Sequence, residues 1–166
     1  PQIIQNLIND RNVQMHAKEI REGTKKGRKL ILSASRVDYT KGNEELLLAF
    51  ERLLENNPEM HGKVVLMLAC VSAASGMKIY EETQRSIEEM AGRINGKFSL
   101  VDWVPIRLST VRIPYEEMVA WFTEANVCWI TPIRDGLNLV AKEYAAARKG
   151  TGGVLVLSEF TGASVV

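Results

Sequence analysis

A regular alternation between short apolar runs and longer amphipathic segments constrains the fold of this chain more than any other feature. Apolar runs recur at residues 29–33, 64–71, 98–103, 127–131 and 154–157. The segments between them place apolar residues at the three- and four-residue spacing of a helix. Unbroken apolar strands that alternate with helices are typical of a parallel sheet covered on both faces. The sequence therefore predicts an α/β fold: a doubly wound, mostly parallel, Rossmann-like domain.

Start and stop signals delimit the helices between these strands. Residues 1–27 are predicted to form a helical lead-in and a loop. The later helices each begin or end at a polar cap, a glycine or a proline. They are predicted from Asn43 to Asn56, from after Gly76 to about Asn95, from Pro114 onward, and from Leu139 to Arg148. The chain begins within a helix and ends just after a strand, so we expect it to be one domain of a longer protein.

Charge and cysteine content narrow the functional classes. The 166 residues include 21 basic and 20 acidic side chains, with a formal net charge of +1. No stripe of Lys and Arg interleaved with aromatic residues is present, so no nucleic-acid partner is expected. Cys70 and Cys128 lie in apolar runs, which favours buried thiols in a cytoplasmic protein. His16 and His61 are isolated and no apolar run approaches the roughly 18 residues of a membrane span, so neither metal nor membrane is expected.

The loop after the first strand contains two cations. Arg36 and Lys41 lie in this loop just before a helix. A guanidinium, an ammonium and the N–H groups of a helix start together suit a diphosphate. The alternative is that Arg36 pairs with Asp38 and that Lys41 is solvated. The loop matches neither the G-x-G-x-x-G fingerprint nor a Walker A motif, so an NAD-type or P-loop site has no motif behind it.

The loop after the fourth strand is the second candidate. It turns at Asp135-Gly136 and leads into a helix. The free backbone N–H groups of a helix start suit anionic or hydroxyl-rich ligands. Glu143 lies two helical turns further on, and a carboxylate there can accept hydrogen bonds from ribose hydroxyls. The alternatives are that Asp135 is only an N-cap, that Asn138 is only a helix-start residue, and that Glu143 pairs with Lys142 or Arg148.

Two further loops carry weaker candidates. The loop at residues 72–76 is small and polar, so a base or a sugar can approach its backbone. Arg107 follows the third predicted strand and is a third candidate cation, with an ordinary surface arginine as the alternative.

Residues 36–42 and 131–144 resemble the retaining glycosyltransferases of family 20. Similar stretches at residues 91–97 and 153–160 extend the resemblance over nearly the whole chain from Leu30 onward. The resemblance implies the C-terminal, donor-nucleotide domain of a two-domain GT-B enzyme. It also implies an N-terminal domain of the same enzyme as the missing partner, which would carry the acceptor site.

The same resemblance implies a role for individual residues. Arg36 and Lys41 match the catalytic pair that holds the nucleotide diphosphate and stabilises the departing charge. Glu143 matches a ribose-binding glutamate. The loop that grips the donor glucose matches Asp135, Gly136, Leu137, Asn138 and Leu139. This scheme needs no metal and no cofactor besides the substrate, which is ADP-glucose or UDP-glucose.

The resemblance also implies a phosphorylated small-molecule acceptor, whose identity is expected to depend on Ser75. Relatives that use glucose 6-phosphate carry an arginine at this position, so Ser75 and Gly76 are the acceptor-side candidates. Losing that cation disfavours a sugar phosphate. Residues 75–80 and 113–117 resemble family members that transfer glucose from ADP-glucose to glycerol 3-phosphate, making the precursor of a compatible solute. We expect that acceptor; the alternatives are glucose 6-phosphate with UDP-glucose, and a non-catalytic nucleotide-binding domain.

Overall fold

Five parallel strands form a single sheet in the order β3-β2-β1-β4-β5. The computed structural model describes residues 2–25, 27–72 and 77–165. The strands are β1 (Lys29–Arg36), β2 (Val64–Val71), β3 (Ile106–Ser109), β4 (Val127–Ile130) and β5 (Val154–Leu157). The helices are α1 (Gln2–Ile8), α2 (Arg11–Thr24), α3 (Asn43–Asn56), α4 (Lys78–Phe98), α5 (Tyr115–Glu124) and α6 (Leu139–Ala147). The predicted doubly wound α/β fold is confirmed.

Strand β1 lies at the centre of the sheet. It pairs with β2 along its whole length, from Lys29 beside Val64 to Arg36 beside Val71. On its other side it pairs with β4. The chain runs outward from β1 through β2 to β3 and then returns to β4 and β5 on the opposite side. The strand order therefore reverses between β1 and β4, and a ligand site is expected beyond the carboxyl ends of these two strands.

Helices cover both faces of the sheet. Helices α3 and α4 pack together on one face, and α1, α2, α5 and α6 pack together on the other. Leu32, Leu66, Leu68, Phe50 and Phe122 are fully buried between these layers. Because β2 has neighbouring strands on both sides and a helical layer on each face, seven of its eight residues are buried, which explains its unbroken apolar run.

The third strand was predicted in the wrong place. Helix α4 continues to Phe98 instead of ending near Asn95, and residues 100–103 form a tight turn closed by an isolated antiparallel bridge. Trp103 is buried there, and its indole Nε1 donates to Val64 O at 2.7 Å. Of the apolar residues of this turn, Trp103 packs into the core while Leu100 and Val101 are exposed, and β3 begins at Ile106.

This shift also moves Arg107 away from the expected loop. Arg107 is the second residue of β3 and pairs in register with Met67. Its guanidinium donates to Gly23 O, near the amino-terminal end of the sheet. Arg107 is therefore not the third cation of a ligand site, because the register of β3 on β2 places it inside the strand and its guanidinium contacts Gly23; the alternative, an arginine outside the site, holds.

The amino-terminal cap of α3 differs from the prediction. Asn43 was predicted to cap α3, but Gly42 is the N-cap and Asn43 is a buried first-turn residue. The amide of Asn43 instead contacts Ser35 Oγ at 3.0 Å and Cys70 Sγ at 3.3 Å.

The prediction that both cysteine thiols are buried is confirmed, and burial raises the pKa of Cys70 to about 11 and that of Cys128 to about 12. Of the helices described, none is long and apolar enough to cross a membrane.

Candidate functional site

A cleft of about 400 Å³ opens at the carboxyl ends of β1 and β4. The charged side chains that line the cleft are Arg36, Lys41, Asp135 and Glu143. Apolar residues also line it, among them Ala34, Ala69, Val71, Met118 and Phe122. The fold therefore brings the two cations of the first loop and the two carboxylates of the fourth into one cleft at the predicted switch point.

Arg36 presents an unpaired guanidinium to this cleft. It is the last residue of β1, and its side chain is exposed. Asp38 does not pair with it, because the Asp38 carboxylate accepts from Thr40 N at 2.9 Å and from Thr40 Oγ1 at 2.8 Å. Within the described ranges, the Arg36 guanidinium has no hydrogen bond or ion pair. The alternative in which Arg36 pairs with Asp38 is therefore wrong.

Gly42 lets the loop that carries Arg36 and Lys41 lie against the segment after β4. Its φ is +68°, and a Cβ there would lie 2.5 Å from Thr131 O. Thr40 O accepts hydrogen bonds from Ile133 N at 2.9 Å and from Arg134 N at 3.2 Å. Only a glycine permits both the left-handed backbone and this close approach. The two loops predicted separately are thus joined by their backbones.

Lys41 and Asp135 form an ion pair across the two loops. Lys41 Nζ lies 3.0 Å from Asp135 Oδ2, and the two side chains are only 16% and 10% exposed. The alternative of a solvated Lys41 is therefore wrong. Burial alone would raise the pKa of the Asp135 carboxyl. The hydrogen bonds from Lys41 and Asn138 lower the pKa by more than burial raises it, so the pKa lies below the ordinary value. Asp135 is consequently ionised at neutral pH.

Asn138, and not Asp135, caps helix α6. Its Oδ1 accepts from Ala141 N at 2.9 Å, while its Nδ2 donates to Asp135 Oδ2 at 3.0 Å. Both ends of this buried amide are thus occupied, and its observed contacts orient Asp135 and start the helix. The backbone N–H groups of Leu139 and Val140 have no partner inside the helix. Both residues line the cleft, so the positive end of α6 faces it.

Glu143 faces the cleft from the second turn of α6. Its Oε1 accepts a hydrogen bond from the Tyr115 hydroxyl at 3.1 Å. It does not pair with Arg148, which donates to the backbone carbonyls of Gly152 and Thr123. Tyr115 was not predicted as a site residue. The available signal was an aromatic residue at the helix start that follows β3, where loops gather at the carboxyl edge of the sheet.

Backbone hydrogen bonds join the segment after β5 to the turn at Asp135. Asp135 N donates to Phe160 O at 3.2 Å, and Gly162 N donates to Asp135 O at 2.8 Å. Gly162 packs so closely that an added Cβ would lie 2.0 Å from Gly136 O. The sequence did not predict this contact, because its only local signal was the run of small residues after Phe160.

Ser75 and Gly76, the acceptor-side candidates, lie outside the described residues.

Comparison with known proteins covers the whole chain. The family model for glycosyltransferase family 20 matches residues 1–166. Glucosylglycerol-phosphate synthase of Synechocystis is 48% identical over 165 residues, which is 99% of this chain and 33% of that protein. The enzyme of the same name from Pseudomonas anguilliseptica is 56% identical over 131 residues, 78% of this chain and 17% of that protein.

Matches at about 40% identity include a further relative and a solved structure with the same fold. The 56 kDa subunit of the UDP-forming α,α-trehalose-phosphate synthase of Saccharomyces cerevisiae is 40% identical over 153 residues, 92% of this chain and 31% of that protein. The crystal structure of a UDP-forming trehalose-phosphate synthase from Burkholderia xenovorans matches with a TM-score of 0.89 at 39% identity, covering 99% of this chain and 36% of that one. The chain thus spans about a third of the length of these relatives.

The sequence and structural matches agree with each other. The family model matches every residue, and one relative is 48% identical over almost the whole chain. These two matches are sufficient to assign the family. This chain belongs to glycosyltransferase family 20.

Proposed function

We propose that this chain is the donor-nucleotide domain of a retaining glucosyltransferase with GT-B architecture. One observation carries the proposal: an unpaired Arg36, the Lys41–Asp135 pair and the open amino-terminal end of α6 share one cleft at the switch point of the sheet. We further propose that the whole enzyme transfers glucose from ADP-glucose to glycerol 3-phosphate. Three glucosylglycerol-phosphate synthases among the relatives, 48%, 49% and 56% identical, support this acceptor by the product in their name. The choice of ADP-glucose as the donor rests on the family resemblance.

The lining of the cleft suits the two halves of a nucleotide sugar. Its apolar residues include Val71 and Met118, which are only partly buried and suit a planar base. Its charged residues suit a diphosphate and a sugar, because Arg36 and the N–H groups of α6 donate to anionic oxygens while ionised Asp135 accepts from sugar hydroxyls. Glu143 lies where it can accept from ribose hydroxyls. These groups supply the positive charge that a diphosphate requires, so the proposal includes no metal and no cofactor.

In the proposed reaction, a bond breaks and a bond forms on the same face of the glucose ring. The bond from glucose C1 to the diphosphate oxygen breaks, and negative charge develops on that oxygen. The acceptor hydroxyl bonds to C1, and its proton passes to the departing phosphate. Arg36, Lys41 and the positive end of α6 stabilise the developing charge, and such preorganised groups supply a large part of catalysis. The acceptor site lies on an N-terminal domain, consistent with a chain that spans a third of its relatives.

The acceptor is tested by assaying the full-length enzyme. Glycerol 3-phosphate and glucose 6-phosphate are supplied in parallel, each with ADP-glucose and with UDP-glucose, and the phosphorylated product is quantified. We expect a higher kcat/KM with glycerol 3-phosphate and ADP-glucose. A preference for glucose 6-phosphate would instead indicate a trehalose-phosphate synthase activity. Residues 1–166 alone are expected to turn over neither substrate pair.

Arg36→Ala tests whether the guanidinium holds the diphosphate. A charge-assisted hydrogen bond contributes about 1.5–3 kcal/mol, so ADP affinity is expected to fall about 10- to 150-fold. The measurement is calorimetric titration of the full-length enzyme with ADP. Arg52→Ala is the matched control, because Arg52 is an exposed arginine of α3 that does not line the cleft. Equal affinities of the Arg36 variant and the wild type for ADP would contradict the assignment of Arg36 to the diphosphate.

If the wild-type full-length enzyme binds ADP but turns over no substrate pair, the result would favour a non-catalytic nucleotide-binding domain.

A further inference from the structure

We propose that Tyr115 is a positioning residue that holds Glu143 in the orientation needed to bind the ribose of the donor. This inference rests on the proposed function and adds to it a residue that no motif indicated. Tyr115 is the first residue of α5, which follows β3, whereas Glu143 lies on α6, which follows β4. The two residues are 28 positions apart in sequence, and both line the cleft. Only the tertiary structure brings them together.

The hydrogen bond between them leaves Glu143 free to bind a diol. A carboxylate offers about four acceptor positions on its two oxygens. The Tyr115 hydroxyl occupies one position on Oε1 at 3.1 Å. In the part of the chain that the structure describes, Glu143 Oε2 has no hydrogen-bond partner. The remaining positions therefore suit the two adjacent hydroxyls of a ribose, and the phenol holds the carboxylate in place for them.

The direction of this hydrogen bond is set by the protonation of the phenol. Burial raises the pKa of Tyr115, and the hydrogen bond and charge of Glu143 raise it further. The phenol is therefore protonated at neutral pH and donates, while the Glu143 carboxylate accepts. Glu143 is only partly buried and is a long, flexible side chain. Without the phenol it would have to lose rotamer freedom each time a ribose binds.

The change Tyr115→Phe removes the hydroxyl and keeps the ring. Because Tyr115 is 46% exposed, we expect the fold to tolerate the change. Affinity of the full-length enzyme is measured for ADP and UDP and for their 2′,3′-dideoxy counterparts. We expect the variant to lose about ten-fold in affinity for the nucleotides with a ribose diol, and less than about two-fold for the dideoxy forms. In turnover, KM for the donor should rise while kcat stays within about two-fold.

Two controls separate positioning from a general structural effect. Tyr80→Phe removes a hydroxyl on α4, outside the residues that line the cleft, and is expected to leave all four affinities unchanged. In a Glu143→Ala background, Tyr115→Phe is expected to have no further effect, because a residue that acts through Glu143 needs its carboxylate.

The outcomes distinguish this inference from the proposed function. Equal losses for the ribose and dideoxy nucleotides would mean that Tyr115 supports the base or the fold, and would overturn its role in positioning Glu143. Unchanged affinity for both would also overturn it. In either case, tight binding of ADP or UDP by the wild type would leave the proposed function standing. Failure of the wild type to bind any of the four nucleotides would overturn both.

Discussion

Lys41→Ala in the full-length enzyme is expected to lower kcat by about 10²- to 10³-fold, the usual cost of removing one group that stabilises charge in the transition state. Lys41 lies in the cleft beside Arg36, and its ammonium is held 3.0 Å from Asp135 at a largely buried position. We expect this cation to act on the leaving diphosphate, where charge increases as the glucosyl bond breaks. The effect on KM should be smaller than that on kcat, because the charge is greatest in the transition state.

The main complication is that Lys41→Ala also leaves the Asp135 carboxylate without its cation. The single variant Asp135→Asn and the double variant Lys41→Ala with Asp135→Asn serve as the controls, because Asp135 also belongs to the proposed sugar site. If Lys41 acts only by neutralising Asp135, adding Lys41→Ala to Asp135→Asn should not lower kcat further. If Lys41 acts on the diphosphate, it should lower kcat in that background as well. Full activity in the single variant, at an unchanged unfolding temperature, would contradict the assigned role.

Gly162→Ala should weaken donor binding although Gly162 does not line the cleft. An added methyl group would lie 2.0 Å from Gly136 O and 2.8 Å from Gly136 C. Both atoms belong to backbone, so the turn that carries Asp135 must move to admit the methyl group. The hydrogen bond from Gly162 N to Asp135 O, 2.8 Å long, would be lost or lengthened. Overpacking of this kind costs about 1–3 kcal/mol, so we expect a lower melting temperature and a rise of about five-fold or more in KM for the donor.

A matched glycine provides the control for this change. Gly96 lies in α4, and no heavy atom comes within 4 Å of an added Cβ there. Gly96→Ala should therefore leave donor binding unchanged and raise stability by up to about 1 kcal/mol, the usual gain from alanine in a helix. Calorimetric melting and donor KM are measured for both variants. Similar behaviour of the two variants would show that the turn at Asp135 does not depend on Gly162.

The accuracy of the fold prediction varied with how local each signal was. Strand β2 was predicted with its observed ends, because a strand buried on both faces reads as an unbroken apolar run. The end of α3 was also predicted, since Pro58 disfavours helix just before it. The third strand failed because the neighbouring stretches 98–103 and 106–109 both contain apolar residues. Pairing with β2 decided between them, and no local pattern reports that pairing.

The candidate site shows the same difference between local signals and contacts between distant segments. Arg36, Lys41, Asp135 and Glu143 were named from the sequence, since each was predicted in a loop or helix that follows a strand of a doubly wound sheet; in the structure β1 extends as far as Arg36. Their mutual contacts were not: the alternatives left Lys41 solvated and paired Arg36 with Asp38. Neither Tyr115 nor Gly162 was named as a site residue. Tyr115 contacts Glu143 and Gly162 contacts the turn at Asp135, and these partners are distant from them in sequence.

The sequence by itself determined the fold class, the family and the four charged residues of the cleft, because periodicity, helix signals and motifs are properties of neighbouring residues. Only the tertiary structure decided that Lys41 pairs with Asp135, that Tyr115 holds Glu143 and that Gly162 lies against Gly136. Each of these is a contact between segments that the folded sheet brings together, and its geometry depends on strand order and register rather than on local propensity.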